Sequence, residues 1–247
     1  KHFEEALEFY PLSSAAPLRE RRIRIYNKQK EFDKSLALAR QILENPNDNK
    51  EYYIALDVIN KLEKKLKTTT IRQKEGLVIP VDESYRNRVE QGALAYFESL
   101  GYHGYHSENS ICRNVFGLFF WDEIFDPQYN SLHQPLQRNP SDIYGKDFYE
   151  KRKVAIVEKL QNTKSKKELS KVLETSIDLH FGISNPFVHW DENMIEAMWK
   201  FLSFAQLKQV KALLAEMAFD PKTHSTGFPD LFIWKEQEYS FYEVKSP

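Results

Sequence analysis

Gly227-Phe228-Pro229-Asp230-Leu231-Phe232-Ile233-Trp234 is followed by a polar break, Lys235-Glu236-Gln237-Glu238, and then by Ser240-Phe241-Tyr242-Glu243-Val244-Lys245. Two short, aromatic-rich apolar runs joined by a tight polar connection read as a β-hairpin. Asp230 opens the first strand. Side chains alternate across a strand, so Glu243 and Lys245 share a face and Val244 points the other way. Pro229 fits just ahead of a strand, where no ladder N–H is required of it. A carboxylate from each of two neighbouring strands can grip one divalent cation, and Mg²⁺ and Mn²⁺ prefer such oxygen ligands. A lysine beside a metal-bound water can orient it, help deprotonate it and stabilise a phosphate oxygen. The pattern Pro-Asp … Glu-x-Lys therefore points to metal-assisted phosphodiester hydrolysis. The plain alternative is a surface hairpin with an ordinary Asp, Glu and Lys.

The composition is that of a soluble globular protein, with 41% hydrophobic and 29% charged residues. No apolar run approaches the ~20 residues of a membrane helix. The single cysteine, Cys112, rules out an internal disulfide and a cysteine-based zinc site. No phosphate-cradling glycine loop is present, so no nucleotide cofactor is expected. The net charge of −1 conceals three basic stretches. Arg19 to Lys30 and Lys61 to Lys74 each hold six basic residues against one acid, and Glu150 to Lys171 holds eight against three. Such patches suit phosphate contacts, although basic runs are also the ordinary solvated faces of helices. The chain starts at Lys1 and stops two residues after Lys245, which would leave its last strand poorly covered, so it reads as a fragment.

Residues 1 to about 75 read as helical. Phe3-Glu4-Glu5-Ala6-Leu7 is echoed 29 positions later by Phe32-Asp33-Lys34-Ser35-Leu36, and the second copy runs on to Asn45-Pro46. Aromatic, small and aliphatic residues at helical spacing, closing on proline, resemble a degenerate tetratricopeptide-type (TPR-like) array. Arg19 to Lys30 is then the preceding helix, with Arg21, Arg24 and Lys28 on one face. Lys50 to Lys67 is a further amphipathic helix. Thr68 to Pro80 reads as a linker or short hairpin. Helices are expected at 85–100, 111–125, 148–160, 166–181, 192–204 and 205–218. Gly101 to Ser110 is expected as a glycine-punctuated loop whose Ser110 caps the next helix, itself apolar nearly all round. The architecture expected is mainly α with an α/β nuclease core. A TPR-like helical domain spans 1–80, and a small mixed sheet flanked by helices lies within 81–247.

Glu108, at the mouth of that buried helix, is the acid to add to Asp230 and Glu243. Asp122 and Glu123 compete for the role, but fourteen helical residues span roughly 21 Å. Glu108 and Asp122 cannot both serve one metal if the segment is straight. His103 and His106 suggest zinc, for which no third or fourth ligand is evident.

These motifs fall together as a family pattern. Gly227-Phe228-Pro229-Asp230-Leu231 … Phe241-Tyr242-Glu243-Val244-Lys245 resembles the catalytic signature of the VRR-NUC nucleases, a PD-(D/E)xK or restriction-endonuclease-like group. His106-Ser107-Glu108, followed by Phe116 to Phe125, is similar to one branch, the Fanconi-associated nucleases, and the TPR-like start fits that branch. The resemblance implies a structure-selective DNA nuclease, a 5′-flap endonuclease and 5′→3′ exonuclease serving interstrand-crosslink repair. It implies that Glu108, Asp230, Glu243 and the Val244 carbonyl bind Mg²⁺ or Mn²⁺ and that Lys245 serves the attacking water. It implies flap or branched DNA with a 5′-phosphate end as partner, and residence in the bacterial nucleoid or the eukaryotic nucleus. Arg19 to Lys30 and Lys61 to Lys74 are the candidates for the phosphate pocket, with Arg21, Arg22, Arg24, Lys28, Lys64 and Lys65 as DNA contacts. Three departures stand out. Ser246 replaces the usual glycine after the lysine, Asn109 replaces a glycine often found after the helix-mouth acid, and the helix and strand that the resemblance leads one to expect after Pro247 are not in this sequence. The reading from another class is a TPR-like protein- or nucleic-acid-binding scaffold with an inactive nuclease-like hairpin.

Overall fold

The computed structural model describes residues 3–9, 17–47, 49–65, 76–134, 137–145 and 147–245. The chain divides into two compact units, Lys1–Gly76 and Leu77–Pro247.

The first unit is helical. It holds α1 (Phe3–Phe9), α2 (Leu18–Gln29), α3 (Phe32–Glu44) and α4 (Asn49–Leu62). In α3, Ser35, Leu38, Ala39 and Ile42 recur at helical spacing and are all buried. Leu38, Ala39 and Ile42 meet Ile23 of α2 and Ala55, Val58 and Ile59 of α4 in one small core. Lys30 ends α2 in the left-handed region, at φ 63°, and turns the chain directly into α3. Arg19 does not join the basic surface expected of Arg19 to Lys30. It is buried, with Nε 2.9 Å from Glu51 Oε1 and Nη2 donating to Asn45 O at 2.8 Å. Arg21, Arg24 and Lys28 are exposed, Arg24 in an ion pair with Glu20. Lys64 and Lys65 are exposed, and the rest of the Lys61–Lys74 stretch from residue 66 onward lies outside the described residues.

The second unit builds a three-stranded sheet between helices. Its strands are β1 (His103–His106), β2 (Leu231–Lys235) and β3 (Glu238–Tyr242), ordered β1-β2-β3. Both pairings are antiparallel, so among the described residues the sheet is not the mixed one expected. Its helices are α5 (Val89–Ser99), α6 (Ser110–Phe119), α7 (Trp121–Phe125), α8 (Asp147–Asn162), α9 (Lys166–His180), α10 (Glu192–Phe204), α11 (Leu207–Phe219) and the short α12 (Pro221–His224).

Alternation along β2 sends Leu231 and Ile233 to one face and Phe232 and Trp234 to the other. Helix α5 covers the first face. A Cβ at Gly104 would stand 2.3 Å from the Cδ1 tip of Leu94 of α5, so a larger residue there would make Leu94 shift. Helix α10 covers the second face, with the Phe201 ring 6.1 Å from Phe232 and 5.8 Å from Phe241. Helix α6 runs through the centre of the core and is buried from Ile111 to Phe119 except at Arg113.

Two sequence expectations are corrected here. The loop expected at 101–110 contains β1, because His103 to His106 pair with Trp234 to Leu231 and supply the sheet's outer strand. The helix expected at 111–125 is interrupted at Phe120, whose backbone, at φ −103° and ψ 27°, leaves the helical region. The competing acids Asp122 and Glu123 belong to another network, with Lys159 Nζ 3.6 Å from Asp122 and 2.8 Å from Glu123. Burial pushes the Glu123 carboxyl up, and the nearby Lys159 partly offsets that.

The basic stretch Glu150 to Lys171 is also less free than its composition suggests. Arg152 is fully buried, with Nη1 and Nη2 donating to the two Asp142 oxygens at 2.8 and 3.2 Å. Its Nε donates to Glu123 O at 2.8 Å and Nη2 to Ser131 Oγ at 3.0 Å. Truncating it leaves the buried Asp142 carboxylate, among the described residues, with only Lys151, whose Nζ lies 3.4 Å away. Arg152→Ala is expected to cost about 3–5 kcal/mol of stability, read as a lowered urea midpoint with an unchanged slope.

Candidate active site

The sheet places Asp230 at the head of its central strand. The last β1–β2 pair is His106↔Leu231 and the first β2–β3 pair is Leu231↔Tyr242. One step further on, Ser107 lies beside Asp230 on one side and Glu243 on the other. The hydrogen bonds agree with that register. Asp230 O accepts from Ser107 N at 2.7 Å and from Glu108 N at 3.3 Å. Asp230 Oδ2 accepts from Val244 N at 2.8 Å. Alternation puts Asp230 and Glu243 on the face of Phe232 and Phe241, the one packed against α10.

The hairpin turn is the two residues Glu236 and Gln237, closed by the Lys235↔Glu238 pair, with Glu236 at φ 53°. The ladder ends at Tyr242, so Glu243, Val244 and Lys245 lie just beyond the strand rather than within it. Lys245 Nζ stands 2.5 Å from Glu243 Oε1, and both side chains are at least half exposed. Its hydrogen bond to Glu243, together with that carboxylate's charge, raises the lysine's pKa.

Glu108 reaches the site on a tight reverse turn. Ser110 N donates to Ser107 O at 2.6 Å, leaving Glu108 and Asn109 in the middle at φ 24° and 68°. Left-handed backbone is uncommon outside glycine, and holding a residue there costs on the order of 1–3 kcal/mol. Asparagine tolerates it; glutamate has no such excuse. Ser110 is not the helix cap expected from the sequence. It is the first residue of α6, its hydroxyl donates to Ser107 O, and Asn109 occupies the cap position. The Asn109 side chain turns away from the helix, and its Oδ1 accepts the Phe228 N–H at 2.9 Å. Ser107 Oγ donates towards Pro229 O at 3.0 Å and Asp230 O at 3.2 Å. Sequence reasoning missed both of these contacts. The available signal was an asparagine directly after the acid, a residue type that favours such turns and bonds nearby backbone.

The topology thus gathers Glu108, Asp230, Glu243 and Val244 at one edge of the sheet. Their side chains do not close into a cage: among the described residues, no three acids, histidines or cysteines form a metal-holding group. The donor chemistry still suits a hard cation. Every candidate ligand is a carboxylate or carbonyl oxygen, and Asp230 Oδ2 is already oriented by a backbone N–H. His103 stacks on Trp234, with ring centres 5.8 Å apart, and gives no support to zinc.

Residues 164–247 match the VRR-NUC domain. The chain is similar to a Fanconi-associated nuclease 1 homolog of Oryza sativa subsp. japonica, 32% identical over 64% of this chain and 17% of the relative. It is also similar to one of Pseudomonas aeruginosa, 25% identical over all of this chain and 45% of the relative. Among solved structures, paFAN1 bound to DNA with a one-nucleotide 5′ flap and a gap superposes with a TM-score of 0.72. That match has 25% identity and covers 99% of this chain and 46% of paFAN1. The chain spans less than half the length of these relatives.

Proposed function

We propose that this chain, which carries a VRR-NUC domain and is homologous to the Fanconi-associated nucleases, serves a structure-selective DNA nuclease. Its reaction is phosphodiester hydrolysis at 5′ flaps and in the 5′→3′ direction, and its setting is DNA repair, interstrand-crosslink repair above all. One observation carries the reading: Asp230 heads the central strand, bonded on one side to the turn that bears Glu108 and on the other to Val244, between Glu243 and Lys245.

Glu108, Asp230, Glu243 and the Val244 carbonyl would hold Mg²⁺ or Mn²⁺. Such a cation, when bound, acidifies a water and neutralises charge on the phosphate. Val244 N–H keeps the Asp230 carboxylate turned to its task. Lys245, a charged donor on the same edge, orients the water and stabilises the phosphate oxygen. The flap DNA held by paFAN1 supports flap DNA as the partner here. Among the described residues no helix is long and apolar enough to cross a membrane. A DNA partner implies the nucleoid or the nucleus.

The test is a labelled 5′-flap duplex incubated with the full-length protein and Mg²⁺ or Mn²⁺. EDTA-sensitive cutting is expected; EDTA-resistant cutting would sink the metal reading. The exposed Arg21 and Arg24 supply a second expectation. Charge reversal of both to Glu weakens flap binding and lowers the salt-dependence slope by roughly two, one for each phosphate contact. An unchanged slope would make that helix face structural only.

A further inference from the structure

We propose that Asn109, with Ser107, is a positioning residue: the two latch the Glu108 turn to the Pro229–Asp230 segment and so set the affinity for the divalent cation. The inference rests on the nuclease reading above.

The need for a latch follows from the pairing. Backbone pairing between β1 and β2 ends at His106↔Leu231, short of both acids. Hydrogen-bonded pairs alternate along an antiparallel ladder, so the next one after Ser107 and Asp230 would be Asn109 and Phe228, with no N–H asked of Pro229 between them. Side chains take over where the ladder stops. Asn109 Oδ1 reaches past the proline to accept the Phe228 N–H at 2.9 Å. Ser107 Oγ, on a residue only 3% exposed, donates to the Pro229 and Asp230 carbonyls. These contacts join residues 119 to 123 positions apart in sequence, on either side of Glu108. They also hold Glu108 in its uncommon backbone conformation at φ 24°, which a free turn would leave. Without them the Ser107 and Glu108 N–H bonds to Asp230 O still attach the turn, but its ties to Phe228 and Pro229 are gone and the spacing of the two carboxylates loosens. A hard cation with short oxygen contacts is sensitive to that spacing.

The experiment measures Mn²⁺ binding to the full-length protein without DNA, from the loss of the free-ion electron paramagnetic resonance signal. Glycine adopts φ 68° freely, so Asn109→Gly removes the side-chain bond without straining the turn. Ser107→Ala removes the other pair of bonds independently, and it carries the test if the glycine variant fails to fold. Groups bonded directly to metal ligands are worth roughly ten- to hundredfold in metal affinity; Asn109 and Ser107 act one step back, through the backbone, so a weakening of about tenfold is expected in each variant. Asn109→Asp keeps an acceptor and tolerates the same backbone, so it binds at least as tightly as wild type. With flap DNA, the Mn²⁺ concentration for half-maximal cutting shifts by the same factor, while the rate at saturating Mn²⁺ is retained. A merely structural role would lower the melting temperature without that split. Wild-type Mn²⁺ affinity in folded Asn109→Gly or Ser107→Ala protein overturns the latch and leaves the nuclease reading standing. A wild-type protein that binds no Mn²⁺ overturns both.

Discussion

Asp230→Ala leaves a labelled 5′-flap duplex uncut by the full-length protein, while flap binding largely survives. Asp230 is the residue on which the two sides of the site converge. Its main-chain carbonyl takes the N–H groups of Ser107 and Glu108, and its carboxylate takes that of Val244. Alanine keeps the first of these and loses the second, so the turn that carries Glu108 stays attached. The loss falls on the cation: a central anionic ligand disappears, the metal is held less tightly, and its bound water becomes less acidic. The orphaned Val244 N–H belongs to a half-buried residue at the chain's outer edge, so its cost is at the low end of about 1–3 kcal/mol. The variant should therefore fold. The proposed contacts to the DNA backbone lie on basic groups elsewhere, which is why binding is expected to outlast cutting. An Asp230→Ala protein as active as wild type would remove the assignment and favour a binding scaffold with an idle hairpin.

The residues that were legible in the sequence were those whose pattern follows from one local rule. Strand periodicity exposed the hairpin, and the buried helix α6 announced itself by apolar residues on nearly every side. Heptad-like spacing in α3 gave its buried face. What escaped was decided by distant partners. His103 to His106 carries two histidines and a glycine, a poor strand by propensity. It becomes β1 because β2 offers it a ladder and Gly104 leaves room for the Leu94 side chain of α5. Arg19 and Arg152 looked like members of basic surfaces. They are instead buried partners of Glu51 and Asp142, which lie 32 and 10 positions away. Net charge in a window cannot distinguish a solvated arginine from one whose acid arrives from another segment of the fold. The same limit applies to the site. The chemistry of Asp230, Glu243 and Lys245 could be read locally. The role of Ser107 and Asn109 depends on the backbone of Phe228 to Asp230, more than a hundred positions later.

Lys245→Ala cuts flap DNA on the order of 10²–10³ more slowly than wild type and binds Mn²⁺ no less tightly. The two halves of that expectation have one origin. Lys245 Nζ lies 2.5 Å from Glu243 Oε1, so the lysine and a cation draw on the same carboxylate. Removing the lysine releases Glu243 from its ion pair, and metal affinity has no reason to fall. Both side chains are largely solvated, so losing the pair costs little stability. On the proposed reading, what disappears is a charged donor beside the attacking water and the phosphate oxygen. Charge that develops there in the transition state then goes uncompensated, which slows the chemical step rather than binding. The measurement is a single-turnover rate at saturating Mn²⁺, set beside a metal titration of the same protein. A Lys245→Ala variant that loses Mn²⁺ binding would make the lysine a support of the metal site, and one that cuts at the wild-type rate would remove it from the reaction.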